Sequence, residues 1–253
     1  MYRRQQPLGI IMAIAPMSLL DFYLTPPHSC PYLSGRNASL LFADPARTLD
    51  TTLYANLIEK GFRRNGPHLY RPHCDACEAC IPVRVPVQEF QPRRRHQRIW
   101  RRNQDLEVRC LEPAYDPTHF ALYQRYLTQR HADDHAKPPA PEQYQELFNA
   151  PGIDTRLYAL HHDQQLLAVA ITDHLPQGLS AVYTFFEPSA SARSLGVYTV
   201  LWQIEEARRL GLSWLYLGYW IKECRKMSYK GHYQPLEVYR QNHWQRLAED
   251  GPP

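Results

Sequence analysis

Three closely spaced cysteines form the clearest candidate metal-binding pattern in the chain. The stretch HCDACEAC, residues 73–80, holds them at C-x2-C-x2-C spacing, as Cys74, Cys77 and Cys80. Thiolates at this spacing can reach one zinc ion or iron–sulfur cluster together, and Cys30 upstream would supply a fourth ligand. His28 and His73 are alternative ligands. The competing interpretation is a set of reduced, partly buried thiols that order a loop without any metal.

A dense run of arginines follows in QPRRRHQRIWRRNQD, residues 91–105. We expect a basic helix or an extended arm here. In a helix, one side would carry most of the positive charge, from Arg94, Arg98, Arg101 and Arg102. Such a face would neutralise the backbone phosphates of RNA, and Trp100 would either stack on a base or pack inward. The alternative is a solvated face with Trp100 in the core.

Aromatic and cationic side chains also crowd the segment LGYWIKECRKMSYK, residues 217–230. The segment directly follows a predicted strand, and a polar, aromatic run in that position is typical of a functional site. Its candidate functional residues are Tyr219, Lys222, Arg225, Lys226 and Lys230. Tyr and Lys side chains position carbonyl groups and stabilise oxyanions that develop during a reaction. The alternative is a surface loop anchored by its aromatic residues.

The composition is that of a globular protein with an arginine-rich set of basic residues. The formal net charge is +4, and of the 29 basic residues the lysines are only Lys60, Lys137, Lys222, Lys226 and Lys230. Arginine suits phosphates and carboxylates, so nucleic acid and acidic protein ends are both candidate partners, although a GC-rich genome also favours arginine. Three cysteines within seven residues favour reduced thiols in the cytosol.

The amino-terminal residues include an apolar stretch that invites comparison with a signal peptide or a membrane span. The stretch LGIIMAIAPMSLL, residues 8–20, is too short for a span, and Pro16 interrupts it. We therefore expect no membrane association. We expect residues 1–16 to be a poorly ordered extension that precedes a natural start at Met17.

The periodicity of apolar residues predicts helices and strands in an order that favours an α+β fold. Helices are expected at 48–61, 118–130, 141–149 and 194–210. Strands are expected at 68–71, 81–87, 156–161, 166–173, 179–186, 213–219 and 236–240, and short connections make the third to the fifth an antiparallel meander. The helix at 194–210 is apolar nearly all round at its start, so its amino-terminal half should be buried.

This order of elements matches the acyl-CoA N-acyltransferase fold, in which the loop before the central helix holds a phosphate-bearing acyl donor. Here that loop is EPSASARSLG, residues 187–196, with Arg193 and without a convincing glycine-rich phosphate loop. The donor therefore need not be acetyl-CoA. We expect an amino-terminal Cys/Arg-rich domain over 17–112, an acyltransferase-like domain over 113–247 and a tail over 248–253.

Six long blocks in order resemble the bacterial aspartate/glutamate leucyltransferases, relatives of the eukaryotic arginyl-tRNA–protein transferases. The likeness covers residues 18–247, and the blocks are PPHSCPYLSGR (26–36), GFRRNGPHLYRPHCDACEACIPVRVPV (61–87), HQRIWRRN (96–103), AVYTFFEP (181–188), SLGVYTVLWQIEEARRLGL (194–212) and YLGYWIKECRKMSYK (216–230). One departure is Asp134, which stands where the family has Gly. The resemblance implies transfer of Leu from Leu-tRNA to proteins with an N-terminal Asp or Glu, which marks them for degradation by the N-degron pathway.

The chemistry of the implied reaction suggests how the candidate residues would be used. The reaction is aminolysis of an ester, which needs positioning and electrostatics and no cofactor. Tyr183, Tyr219 and Lys226 are expected at the reacting carbonyl, and the acceptor carboxylate is expected to meet a cationic set, Arg193, Lys222, Arg225 and Lys230. The tRNA is expected on Arg94, Arg98, Trp100, Arg101 and Arg102. The four cysteines would hold a Fe–S cluster or zinc.

Three other functions remain open on the sequence alone. An arginyl-tRNA–protein transferase would share the mechanism and differ in the donor amino acid. An acetyl-CoA-dependent N-acetyltransferase would share the fold, but it should carry the glycine-rich phosphate loop that is not evident here. A metal-bearing protein that binds RNA or senses redox state would leave the acyltransferase-like half without a role.

Overall fold

The computed structural model describes residues 20–44, 46–47, 49–130 and 138–248 of the chain. The predicted extension over 1–16, most of the predicted tail, and Asp133 and Asp134 lie outside the described residues. The strands of the described part are β1 (Phe22–Leu24), β2 (His28–Ser29), β3 (Asn37–Ala38), β4 (Leu40–Ala43), β5 (Arg63–Asn65), β6 (His68–Pro72), β7 (Ile81–Pro86), β8 (Glu107–Leu111), β9 (Asp154–His162), β10 (Gln165–Leu175), β11 (Gly178–Phe186), β12 (Trp214–Trp220), β13 (Glu237–Arg240) and β14 (His243–Arg246).

The helices of the same residues agree with the periodicity, with shorter ends for some. They are α1 (Thr51–Ile58), α2 (Arg94–Arg102), α3 (Pro117–Arg130), α4 (Pro141–Glu146), α5 (Leu195–Arg209) and α6 (Arg225–Ser228), with 3-10 helices at Pro188–Arg193 and Tyr229–His232. Asp50 caps α1 by accepting a hydrogen bond from the Leu53 N–H at 2.7 Å. Gly211, at φ +71°, follows the end of α5 in the left-handed conformation that glycine adopts without strain.

The largest sheet has eight strands in the order β14-β13-β7-β12-β11-β10-β9-β8. Strands β9, β10 and β11 form the antiparallel meander that the short connections predict. The β11–β12 pair is parallel, and α5 makes the crossover between its two strands. A four-stranded sheet, β1-β4-β6-β5, and the pair β2–β3 complete the described sheets.

The large sheet includes strands from both of the regions that the sequence suggests as domains. Strand β7 lies between β12 and β13, and β8 forms the opposite edge beside β9. Both strands precede the predicted boundary at residue 112. That boundary remains a prediction, and the hydrogen bonds of the sheet cross it.

Helices cover both faces of the meander, as the alternation of side chains along its strands requires. Leu157 and Ala159 of β9 lie in an apolar cluster with α3 and α4, whereas Leu160 lies in the cluster that contains α5. The amino-terminal half of α5 is buried as predicted, with Leu195 and Leu201 each at most 3% exposed. The meander and α5 therefore share a buried core.

A buried ion pair joins the small sheet to the large one. The Arg64 guanidinium of β5 donates from Nε and Nη2 to the Asp173 carboxylate of β10 at 2.7 and 2.8 Å. Both side chains are fully buried, and the Thr155 hydroxyl donates to the same carboxylate at 2.7 Å. The pair fixes the position of β5, and with it the position of the neighbouring Arg63.

Candidate active site

The pairing of β11 with β12 ends part-way along the large sheet, and we call the stretch where the two strands continue without pairing to each other the opening. Strands β11 and β12 pair at three positions, where Gly178, Leu179 and Ser180 face Trp214, Leu215 and Tyr216. Beyond these positions β11 continues to Phe186 and β12 to Trp220, and the register of their pairing ends. The sequence predicts both strands, but it gives no sign of where their pairing ends.

Arg63 fills the near end of this opening. Its Nη2 donates to the backbone oxygens of Ala181 and Val182 at 2.6 and 2.9 Å. The guanidinium therefore supplies the hydrogen bonds that a neighbouring strand would otherwise donate to this part of β11. Gly218 of β12 has φ +76°, and a Cβ atom there would lie 2.0 Å from Arg63 Nη1. Only a glycine leaves room for this side chain. Arg63 was not among the predicted site residues, although a glycine inside the apolar strand SWLYLGY is a sign of such a close approach.

Tyr219 and Lys230 meet next to Arg63, but in the interior of the protein. The Lys230 Nζ donates to the Tyr219 backbone oxygen at 2.8 Å, and the lysine is 6% exposed. Burial, and then the charge of Arg63, hold the pKa of Lys230 well below its usual value of 10.5. The Tyr219 hydroxyl donates to the backbone oxygens of Gly61 and Tyr70 at 3.1 and 3.0 Å. The side-chain amine of Lys230 thus lies inside the fold, and the binding of the acceptor by Lys230 stays a prediction.

The other predicted site residues of the second half lie at the surface or are half-buried. Lys222, Arg225 and Lys226 are exposed in the segment that follows β12. Tyr183 is half-buried on the part of β11 that extends beyond its pairing with β12, and its ring lies 6.1 Å from that of Tyr123 in a T-shaped arrangement. The catalytic and binding roles of these residues remain predictions.

The arginine run forms a helix, α2, and not an extended arm. Arg94, Arg98 and Arg101 are exposed, whereas His96 and Ile99 face the core. Trp100 packs inward, with its ring 5.4 Å from that of Tyr198 on α5. The outer face of α2 therefore carries a row of cations.

Arg193 joins this helix to the loop before α5. It donates from Nη1 and Nη2 to the Asp105 carboxylate, at 2.9 Å each, and these hydrogen bonds, the largest cause, lower the pKa of Asp105. Asn103 Nδ2 donates to the Arg193 backbone oxygen at 2.9 Å, and Arg102 donates to that of Ala192. The Arg193 guanidinium is therefore paired with Asp105 and fastens the basic helix beside the amino-terminal end of α5. The binding of the acceptor by Arg193 stays a prediction.

The four predicted metal ligands lie around one large cavity. Cys30, Cys74, Cys77 and Cys80 are free thiols, each partly buried, and with Tyr219 they line a cavity of about 1030 Å³. Burial, and then the other three thiols, raise the pKa of Cys80 to about 12, which favours its protonated form.

This arrangement does not match a ligand set. Arg36 Nη1 donates to Cys77 Sγ at 3.2 Å, and Cys74 Sγ donates to the Ser39 backbone oxygen at 3.8 Å. Among the described residues, no three His, Cys, Asp or Glu side chains are placed so that they could hold a metal ion. The thiols as placed therefore do not fit a zinc ion or a Fe–S cluster.

Comparison with known proteins places both halves of the chain in one family. The family model described as "Arginine-tRNA-protein transferase, N terminus" matches residues 28–98, and the one described as "Arginine-tRNA-protein transferase, C terminus" matches residues 118–240. The aspartate/glutamate leucyltransferase of Pseudomonas fluorescens (strain Pf0-1) is 52% identical over 228 residues, which cover 90% of this chain and 97% of the relative. The enzyme of the same name from Alcanivorax borkumensis is 50% identical over 233 residues, 92% of this chain and 96% of the relative.

This chain belongs to the aspartate/glutamate leucyltransferase family. Its members are aminoacyltransferases, so the chain is an enzyme. The two matched regions include Arg63, the four cysteines and the segment after β12, whereas Trp100, Arg101 and Arg102 lie between them.

Solved structures similar to this leucyltransferase family member are distant from it. FemX is 9% identical, covers 79% of each chain and has a TM-score of 0.43, and L-PGS from Bacillus licheniformis is 10% identical, covers 57% of this chain and 48% of that one, and has the same TM-score. Likenesses at this level carry no argument about the site. None of the helices in the described part of the chain is both long and apolar enough to cross a membrane.

Proposed function

We propose that this chain transfers Leu from Leu-tRNA onto an N-terminal Asp or Glu of acceptor proteins, and that the new N-terminus marks the acceptor for degradation by the N-degron pathway. Support comes from relatives named aspartate/glutamate leucyltransferase, which match over nearly their whole length. Because the reaction consumes charged tRNA, it belongs to the cytoplasm.

The reaction fits the opening between β11 and β12. We infer an acyl-CoA N-acyltransferase type of fold from the parallel β11–β12 pair, the helix α5 between the two strands and the early end of their pairing. In this type of fold the loop before the central helix, here α5, holds the acyl donor. Backbone groups that no neighbouring strand engages along β11 and β12 would then bind the aminoacyl ester.

The chemistry is the aminolysis of an ester that is already activated. The neutral α-amine of the acceptor attacks the carbonyl carbon of the leucyl ester, so that a C–N bond forms and the bond to the ribose oxygen breaks. The amine loses one proton and the ribose oxygen gains one. No electron transfer takes place, so the enzyme contributes mainly orientation and stabilisation of the oxyanion. We assign the cysteines no step in this reaction.

The basic face of α2 would bind the donor tRNA. Arg94, Arg98 and Arg101 face solvent, and Arg102 and Arg193 fasten this helix to the loop before α5. Phosphates bound along α2 would therefore bring the charged end of the tRNA towards the opening. Trp100 would support this face from inside through its contact with Tyr198.

The choice of donor is tested by offering the enzyme different charged tRNAs. Radiolabelled Leu-tRNA and, separately, Arg-tRNA are incubated with peptides that begin with Asp, Glu, Asn or Lys and are otherwise identical. We expect label from Leu-tRNA on the Asp and Glu peptides alone. Label from Arg-tRNA instead would keep the mechanism and change the donor to arginine. Stabilisation by coenzyme A in a thermal melt, without transfer from either tRNA, would favour an N-acetyltransferase and contradict the proposal.

A further inference from the structure

The cysteines in the described part of the chain do not form a metal-ligand set, but two of them face each other across a tight turn. Cys74 and Cys77 form an isolated antiparallel bridge around Asp75 and Ala76. Opposite residues of an antiparallel pair point to the same side, and their Cα atoms lie about 4.5–5.5 Å apart. Disulfides join Cα atoms that are about 4.4–6.8 Å apart. The backbone at Cys74 and Cys77 therefore suits a disulfide bond without a change of fold.

The two thiols have different polar contacts. Arg36 Nη1 donates to Cys77 Sγ at 3.2 Å, and a cation beside a sulfur favours its attack on a disulfide. Cys74 Sγ is itself the donor, to the Ser39 backbone oxygen at 3.8 Å. Cys77 is therefore placed to react first, and Cys74 to react with the product.

A small oxidant can reach this pair. Cys74 and Cys77 are partly buried and line the large cavity, while Asp75 and Ala76 between them are exposed. Cys80 also lines the cavity, but it lies outside the turn and next to the start of β7. Within the described part of the chain, no backbone bridge joins Cys80 to another cysteine. The pair across the turn is the one that the fold favours.

We propose that Cys74 and Cys77 form a reversible disulfide by exchange with a low-molecular-weight disulfide, for which oxidised glutathione is the probe. The Cys77 thiolate attacks one sulfur of the oxidant, so that a mixed disulfide forms and one glutathione thiolate leaves. Cys74 gives its proton to solvent and attacks Cys77 Sγ, which releases the second glutathione thiolate. The two leaving thiolates take up the two protons that the cysteines lost. The cysteine pair loses two electrons and oxidised glutathione gains two.

Differential alkylation identifies the bonded pair. The full chain is equilibrated in mixtures of reduced and oxidised glutathione, and free thiols are blocked with a first alkylating label. The remaining cysteines are then reduced and given a second label. Mass spectrometry of the peptides should find the second label on Cys74 and Cys77, and the first label on Cys30 and Cys80. The bonded fraction should fall with the square of the reduced glutathione concentration, because closure releases two thiols. A mixed disulfide on the exposed control Cys110 should fall with the first power.

Two variants and a metal analysis complete the test. Cys80→Ser should keep the bond between Cys74 and Cys77, whereas Cys74→Ser should stop at a mixed glutathione disulfide on Cys77. A second label on another pair, a first-power dependence, or thiols that stay reduced in oxidised glutathione alone would overturn the inference. Stoichiometric zinc or iron in purified wild type that is lost in Cys74→Ser would also overturn it, since the thiols would then be metal ligands. The labelling needs no tRNA, so its outcome is independent of the proposed function.

Discussion

Removing the carboxylate of Asp173 should destabilise the protein strongly. In Asp173→Ala the Arg64 guanidinium loses two hydrogen bonds, at 2.7 and 2.8 Å, and keeps those to the Gly66 and Leu147 backbone oxygens at 2.9 and 3.3 Å. The charge stays fully buried without its counter-ion, and the Thr155 hydroxyl loses its acceptor. Breaking a buried pair from one side costs about 3–5 kcal/mol, and we expect that loss in the free energy of unfolding measured by urea titration near neutral pH.

The chain offers an exposed pair of the same chemistry as a control. Asp154 accepts from Arg156 Nε at 2.7 Å, but the two side chains are 46% and 30% exposed. Asp154→Ala should therefore cost about 0–1 kcal/mol. The double variant Arg64→Met/Asp173→Leu should recover most of the stability, since apolar side chains of similar volume need no counter-ion. An Asp173→Ala loss no larger than that of Asp154→Ala would refute the role given to burial.

Three further predictions concern the basic helix and the lysines near the opening. Arg98→Gln and Arg101→Gln on α2 should each reduce the slope of log K for tRNA binding against log salt concentration by about 1. The control variant Arg109→Gln should leave this slope unchanged. If the α2 variants kept the wild-type slope, α2 would not be part of the tRNA site. Burial and Arg63 lower the pKa of Lys230, so the unfolded chain binds the extra proton, and the free energy of unfolding should rise as pH increases towards 10.5. A single group can make the free energy of unfolding rise by at most about 1.4 kcal/mol per pH unit. Lys230→Met should flatten the rise measured by urea titration at several pH values. Identical pH profiles for variant and wild type would contradict the lowered pKa of Lys230. Lys226→Ala should weaken the preference for Asp over Asn acceptors, and an unchanged preference would exclude Lys226 from the acceptor site.

Local patterns predicted those parts of the fold that depend on neighbouring residues. The period of apolar residues gave α3 and α5 within one residue of their observed ends, and the short connections gave the meander of β9, β10 and β11. The 3-10 helix Pro188–Arg193 and strand β14 were missed, because their sequences carry no clear period. The place of β7 beside β12 also could not be predicted, since pairing between distant segments leaves no local signal.

In the candidate site too, features that depend on neighbouring residues could be predicted, and features that depend on distant residues could not. The arginine run identified α2, but whether Trp100 faced a base or the core depended on Tyr198 of another helix. The burial of Lys230 could not be predicted, because lysines are rarely buried and its contact with the Tyr219 backbone oxygen depends on how the chain folds back on β12. Arg63 was missed because its contacts, Ala181, Val182 and Gly218, lie far from it in sequence.

The most direct test of the central claim is the product of one reaction. The enzyme is mixed with Leu-tRNA and a peptide that begins with Asp, and the peptide is sequenced from its N-terminus by tandem mass spectrometry. We predict one added leucyl residue, attached through the α-amine of Asp, and no such product from the matched Asn peptide. An unmodified Asp peptide, with the enzyme shown to be folded and the tRNA shown to be charged, would contradict the claim that this chain is a leucyltransferase.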